Sequence, residues 1–351
     1  MVAEILEAAK SEESLEVLFA ALDPKRAYQR FGLLYALQEA GRRSAENPFA
    51  ARRLAVRTVR WLRDGRNAAR SDEWESAERL VPALVLRAQS RLLQGVACLW
   101  NKDYSEARTH FAAAYRSFAR GGADVTSLAA VELAESQRRG LAGEGAAALT
   151  LARRARQTFE EIGLEDYAAR GMVAEGLALS ALGRPREAVT CYRDALPVFE
   201  KYGLWSNSVG ALNSAATALL KIGELDAARR EFARALRRFS RESHRYWLGY
   251  LRTGLAEVLF AAGHYAEGAV SAARAARIFE EGGLRALMLI AMLLEVECWA
   301  RSGNLQRALH RLELFWTKIE RDGALDRVVV QKLEDALTGA DPTYERLSSL
   351  R

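Results

Sequence analysis

The chain has 351 residues, half of them apolar and 27% charged, with only six prolines. That composition excludes a disordered chain, and the scarcity of β-branched runs in an Ala-, Leu-, Arg- and Glu-rich sequence excludes a strand-based fold. The formal charge of +6 arises from 51 basic against 45 acidic residues interspersed along the chain, so it does not by itself designate a nucleic-acid surface.

The N-terminal stretch MVAEILEAAKSEESLEVLF sets acidic residues where a secretory leader would carry positive charge, and no export is expected. Residues 1–87 read as helices of an N-terminal cap. Within them NPFAARRLAVRTVRWLRDG at 47–65 suits the second helix of a hairpin, and DEWESAERL begins with the capping-box pair Asp72 and Glu75. From about residue 88 a period of 40 takes over. Gly143, Gly183, Gly223, Gly263 and Gly303 recur at that spacing, each in a polar turn, followed five residues on by Ala148, Ala188, Ala228, Gly268 and Ala308. A second small-residue row follows at Ala155, Ala195, Ala235 and Ala275, with Phe315 in the last place.

Small residues at such points allow two antiparallel helices to approach closely, and a period of this length marks a solenoid of helical hairpins. In one unit the first helix is expected from about Asp166 to Leu182 and the second from Pro185 to Lys201, with Pro185 at a first helical position. The phrase FEEIGL at 159–164 returns as FEKYGL at 199–204 and FEEGGL at 279–284. It reads as a helix end, in which phenylalanine packs inward and glycine forms a left-handed C-terminal cap before leucine turns back onto the last turn. The copy at 239–244, FSRESH, lacks that Gly-Leu and predicts an altered corner. The apolar run LRALMLIAMLLEVECWA at 284–300 carries Arg285, Glu295 and Glu297 and is too short to span a bilayer, so no membrane partner is expected. Residues 325–351, with DRVVVQKLEDALTG, are expected to form a C-terminal capping helix.

The order of small and aromatic residues resembles that of tetratricopeptide repeats. QGVACLWNKDYSEARTHFAAAYRSF at 94–118 sets Gly95, Ala107, Phe111 and Ala114 in that order, and AEGLALSALGRPREAVTCYRDAL at 174–196 repeats it with Gly176, Ala188, Tyr192 and Ala195. The resemblance covers about residues 88–324 as six hairpins. It implies an all-α fold, a right-handed superhelical solenoid of antiparallel helix pairs capped at both ends. The period of 40 exceeds the family's usual unit and is similar to repeats of bacterial signalling regulators and of kinesin light chains, while Gly-Leu replaces the usual terminal proline.

Catalytic chemistry is not expected. The four histidines, His110, His244, His264 and His310, form no HxxxH and none pairs with a cysteine at ligand spacing, so neither metal nor cofactor is expected. GLAGEGAAAL at 140–149 follows a helix and lacks the Lys-Ser/Thr ending of a phosphate loop. Cys98, Cys191 and Cys298 stand apart with no CxxC, which suits reduced thiols in a cytoplasm.

What remains is surface. Arrays that this one resembles line their concave side with first helices, and the register assigns to that side Asp166, Arg170, Val173 and Leu177, then Ser206, Gly210, Asn213 and Thr217, then Tyr246, Tyr250, Thr253 and Glu257, then Ala286, Ile290, Leu293 and Glu297. Amide, hydroxyl and aromatic groups clustered in the middle rungs suit an extended peptide, whose backbone an amide can pair and whose side chains rings can pack. The candidate binding residues are Arg170, Asn213, Thr217, Tyr246, Tyr250, Thr253, Glu257 and Glu297. The stripe holds one basic residue against three acidic ones, which disfavours nucleic acid there. Arginine runs such as LARRARQ at 151–157 and ARREFARALRRFSR at 228–241 belong to second helices. The leading expectation is a non-catalytic scaffold for a protein or peptide partner. The alternatives are a peptide- or ligand-responsive bacterial regulator acting through a partner, and an RNA-binding helical-repeat protein.

Overall fold

A computed structural model describes residues 1–23, 26–42, 48–67, 75, 77, 79, 82–100, 102–121, 124–238, 245–282 and 284–320. Among them are sixteen helices and no strand. The N-terminal four are α1 (Val2–Ala8), α2 (Glu12–Ala20), α3 (Ala27–Arg42) and α4 (Pro48–Asn67). Three hairpins follow, formed by α5 (Ala83–Trp100) and α6 (Tyr104–Arg120), α7 (Val125–Leu141) and α8 (Gly145–Glu161), and α9 (Glu165–Ala181) and α10 (Pro185–Lys201). Three more are formed by α11 (Trp205–Lys221) and α12 (Leu225–Arg238), α13 (Arg245–Ala261) and α14 (Tyr265–Glu281), and α15 (Arg285–Arg301) and α16 (Leu305–Glu320). None is long and apolar enough to cross a membrane. Asp72, the FSRESH corner and the C-terminal segment 325–351 lie outside the described residues.

The chain divides into two compact units, Met1–Ser208 and Val209–Arg351. In the first, α7 packs on α8, α8 on α9 and α9 on α10, while the first helices α5, α7 and α9 also touch in succession. Contacts between neighbours only are the signature of a solenoid. The N-terminal helices are continuous with this array, because Ile5, Phe19, Leu37, Leu54 and Leu62 share one buried cluster with Leu86 and Leu93 of α5. Arg53 ties its corner by donating to the carbonyls of Ala9 and Lys10 at 3.0 and 2.7 Å, beyond the end of α1. In the second unit α13 packs on α12, α14 and α15, and α15 on α16.

The helix pairs pack where the repeated small residues fall. Ala148, Ala188, Ala228 and Ala308 are fully buried, as are Ala155, Ala195, Ala235, Ala275 and Phe315. A methyl group added at Gly176 would stand 2.5 Å from the Tyr192 ring, and one at Gly95 would stand 2.4 Å from Phe111, so each glycine is the slot for its partner helix's aromatic ring. Helix ends follow the repeated phrase. Phe199 is fully buried, Gly203 has φ +64°, and the Leu204 N–H donates to the Phe199 carbonyl at 2.8 Å, closing the last turn as a left-handed cap. The same Phe–Leu bond measures 2.8 Å after Phe159 and after Phe279.

Candidate functional site

The register places the candidate groove residues on first helices. Arg170 belongs to the first unit, on α9, where its guanidinium lies 5.0 Å above the Tyr167 ring. Asn213, Thr217, Tyr246, Tyr250, Thr253, Glu257 and Glu297 belong to the second, on α11, α13 and α15. Arg170, Asn213, Thr217, Tyr250, Thr253, Glu257 and Glu297 are all half-buried. Four other stripe positions are core instead: Asp166, Ser206, Ile290 and Leu293 are buried.

Within the second unit the stripe has a definite construction. The indole of Trp247 packs on α11 at Gly210, where an added methyl would come within 3.1 Å of the ring. Tyr250 stands one turn on, its ring 5.9 Å from Trp247 and edge-on to Phe279 at 5.6 Å. Phe279 is buried, so Tyr250 is anchored on one side and half-open on the other. The two threonines offer less than their type suggests. The Thr217 hydroxyl donates to the Asn213 carbonyl at 2.8 Å and that of Thr253 to the Gly249 carbonyl at 3.0 Å, a back-bond that uses the hydroxyl proton and leaves only acceptor capacity. Asn213 differs, since its side-chain amide makes no hydrogen bond among the described residues, which leaves it both donor and acceptor capacity.

Several charged side chains among the described residues pair between helices. Arg154 on α8 reaches Glu132 on α7 through two bonds of 2.8 and 2.5 Å. Arg156 lies 3.3 Å from Glu160 and 3.1 Å from Glu175, and Arg229 lies 3.8 Å from Glu267. Glu175 on α9 is buried, and that desolvation pushes its carboxyl above the ordinary range against the pull of Arg156 and Arg153. Burial likewise raises Glu295, whose carboxylate meets Arg311 at 2.6 Å. At Glu135 burial acts in the same direction, but hydrogen bonds from Arg138 and Arg139 outweigh it and hold the carboxyl low.

One constellation lies outside the stripe and escaped the spacing rules. Cys98 at the end of α5 and Glu106 and His110 on α6 bring a sulfur, a carboxylate oxygen and a ring nitrogen within 4.8 Å of one another. Burial pushes the Cys98 thiol up to about 12 and draws His110 below its usual value. In sequence Cys98 and His110 are twelve residues apart, and only the phase of α6 against α5 could have revealed the group.

No protein-family profile matches the chain, and no curated protein matches its sequence. Solved structures do. The chain is similar to RapI in its apo form, with a TM-score of 0.58 at 12% identity over 92% of this chain and 84% of that one. It is similar to the Rap conjugation gene regulator of the plasmid pLS20 in complex with the Phr* peptide, with a TM-score of 0.54 at 14% identity over 93% and 97%. The apo quorum sensor NprR from B. thuringiensis gives a TM-score of 0.56 at 11% identity over 83% and 82%. At these identities the likeness is one of fold: arrays of helical hairpins along most of each chain.

Proposed function

We propose that this chain is a non-catalytic interaction protein of a bacterial cytoplasm whose first-helix stripe holds an extended segment of a peptide or partner protein. The observation that carries this reading is the pairing, on adjacent first helices of one unit, of the Asn213 amide, which makes no side-chain hydrogen bond among the described residues, with the anchored Trp247–Tyr250 ring platform. An amide can bond a peptide's backbone in both senses, and a fixed ring offers contact area at little entropic cost. The similar pLS20 regulator was solved with a peptide bound, which supports the same use of this fold here. A second reading, a peptide-responsive regulator that acts through another protein, is favoured by the quorum-sensing role of the similar NprR. The pairing of arginines on the second helices of the first unit weighs against RNA, since phosphate binding needs uncommitted basic side chains.

The test is capture of peptides and proteins from the source cell's extract on the immobilised full-length chain, read by mass spectrometry. A retained segment that Asn213→Ala releases, with helicity and melting unchanged, is the expected result. Equal retention by wild type and variant would overturn the assignment.

A further inference from the structure

The first hairpin carries chemistry that the groove does not use. Cys98 and His110 are buried, while the Glu106 side chain is about half exposed, so the three donors form a small inward-facing corner with one open side. A thiol, an imidazole and a carboxylate together are the donor set of zinc. The spacing suits it. His110 Nε2 and Glu106 Oε1 stand 3.4 Å apart, and a tetrahedral zinc with bonds of about 2.0–2.2 Å to nitrogen and oxygen holds such a pair about 3.4 Å from each other. The sulfur needs to lie about 3.6 Å from the nitrogen in that geometry, and all three ligand atoms already lie within 4.8 Å. It is the one such group among the described residues.

We propose that Cys98, Glu106 and His110 bind a zinc ion at the α5–α6 corner, with water in the fourth position on the open side. Binding replaces the S–H bond of Cys98 by an S–Zn bond and sends the proton to solvent, and the thiolate and carboxylate together neutralise the ion. Arg91 sets the condition for loading. Its Nη1 lies 3.3 Å from His110 Nδ1, while Nε2 faces Glu106, so the metal-free contacts are both hydrogen bonds when Nε2 carries the proton and Nδ1 accepts from Arg91. Zinc on Nε2 moves the ring proton to Nδ1, where it would meet a guanidinium N–H donor against donor. Arg91 must then withdraw towards Gln94 Oε1, which it already contacts at 3.3 Å. Loading therefore exchanges one Arg91 contact for another, and removing Arg91 is expected to tighten binding.

The experiment titrates the chelator-stripped full-length protein with zinc in competition with a chromophoric chelator. One equivalent is expected, with Cys98→Ser and His110→Gln each weakening it at least as much as loss of an outer-shell partner does at known sites, about 10- to 100-fold, and Arg91→Met strengthening it. Cobalt on the unaltered protein is expected to give a thiolate-to-metal charge-transfer band, a reading that stands even where a variant fails to fold. No stoichiometric binding by the wild type, binding that survives Cys98→Ser undiminished, or a cobalt complex without that band would each overturn the site.

Discussion

Asn213 and Tyr250 occupy neighbouring rungs but are held differently, and their substitutions are expected to separate binding from stability. Asn213 is half-buried and its side-chain amide makes no hydrogen bond among the described residues, so Asn213→Ala is expected to change stability by no more than about 0.5 kcal/mol. Tyr250 rests edge-on against buried Phe279, and Tyr250→Ala removes that packing at a cost of about 2 kcal/mol. Loss of a partner in Tyr250→Ala is therefore informative only beside the Asn213 variant. Two glycines divide in a similar way. Gly176→Ala drives a methyl into Tyr192 at 2.5 Å, with an expected loss of about 1–3 kcal/mol from overpacking. Gly183 has nothing within 4 Å, but its φ of +72° lies in the left-handed region, and alanine there is expected to cost about 1–2 kcal/mol. Chemical denaturation of the pair checks both figures, and a neutral Gly183→Ala would contradict the cap.

At the scale of helices, hairpin boundaries were legible because glycine, alanine and phenylalanine recur in phase. The second helix expected from Pro185 to Lys201 is the one observed, and the first helix is shifted by one residue to Glu165–Ala181. What lay between helices was not legible. A methyl at Gly171 would stand 2.7 Å from Arg156 Cβ, so α8 and α9 approach closely there, and that approach lets Arg156 reach the buried carboxylate of Glu175. No residue pattern distinguishes that glutamate from the surface ones around it. Nor does the sequence state that Thr217 and Thr253 spend their hydroxyl protons on their own helices. Such facts depend on helix phase and separation, which propensity does not encode. Glu175 gives a pH prediction. Its folded value is raised above the ordinary 4.5 by burial, so its contribution is fully present below the unfolded value and is lost as pH rises through the folded one. Glu175→Gln is expected to melt at or above the wild-type temperature near neutrality, with the gap narrowing as pH falls towards about 5. A gap that widens on acidification would show the carboxylate to be net stabilising.

For the molecule as a whole, the two units are built from one repeated device and differ in what their first helices present. The first unit includes the N-terminal helices and pairs half-buried Arg156 with buried Glu175 between hairpins, while the second sets aromatic rings and the Asn213 amide on neighbouring first helices. A segment held by amide and ring contacts releases few counterions, so its retention is expected to change little as salt rises from low to physiological strength. A steep loss would favour a polyanion on the arginine-bearing helices. The most direct measurement is site-specific photo-cross-linking of the captured partner, with the cross-linking residue placed at position 213 on α11 or at position 234 on α12, where Arg234 is exposed. The account predicts a covalent adduct from position 213 and none from 234. An adduct from 234 with none from 213 would contradict it.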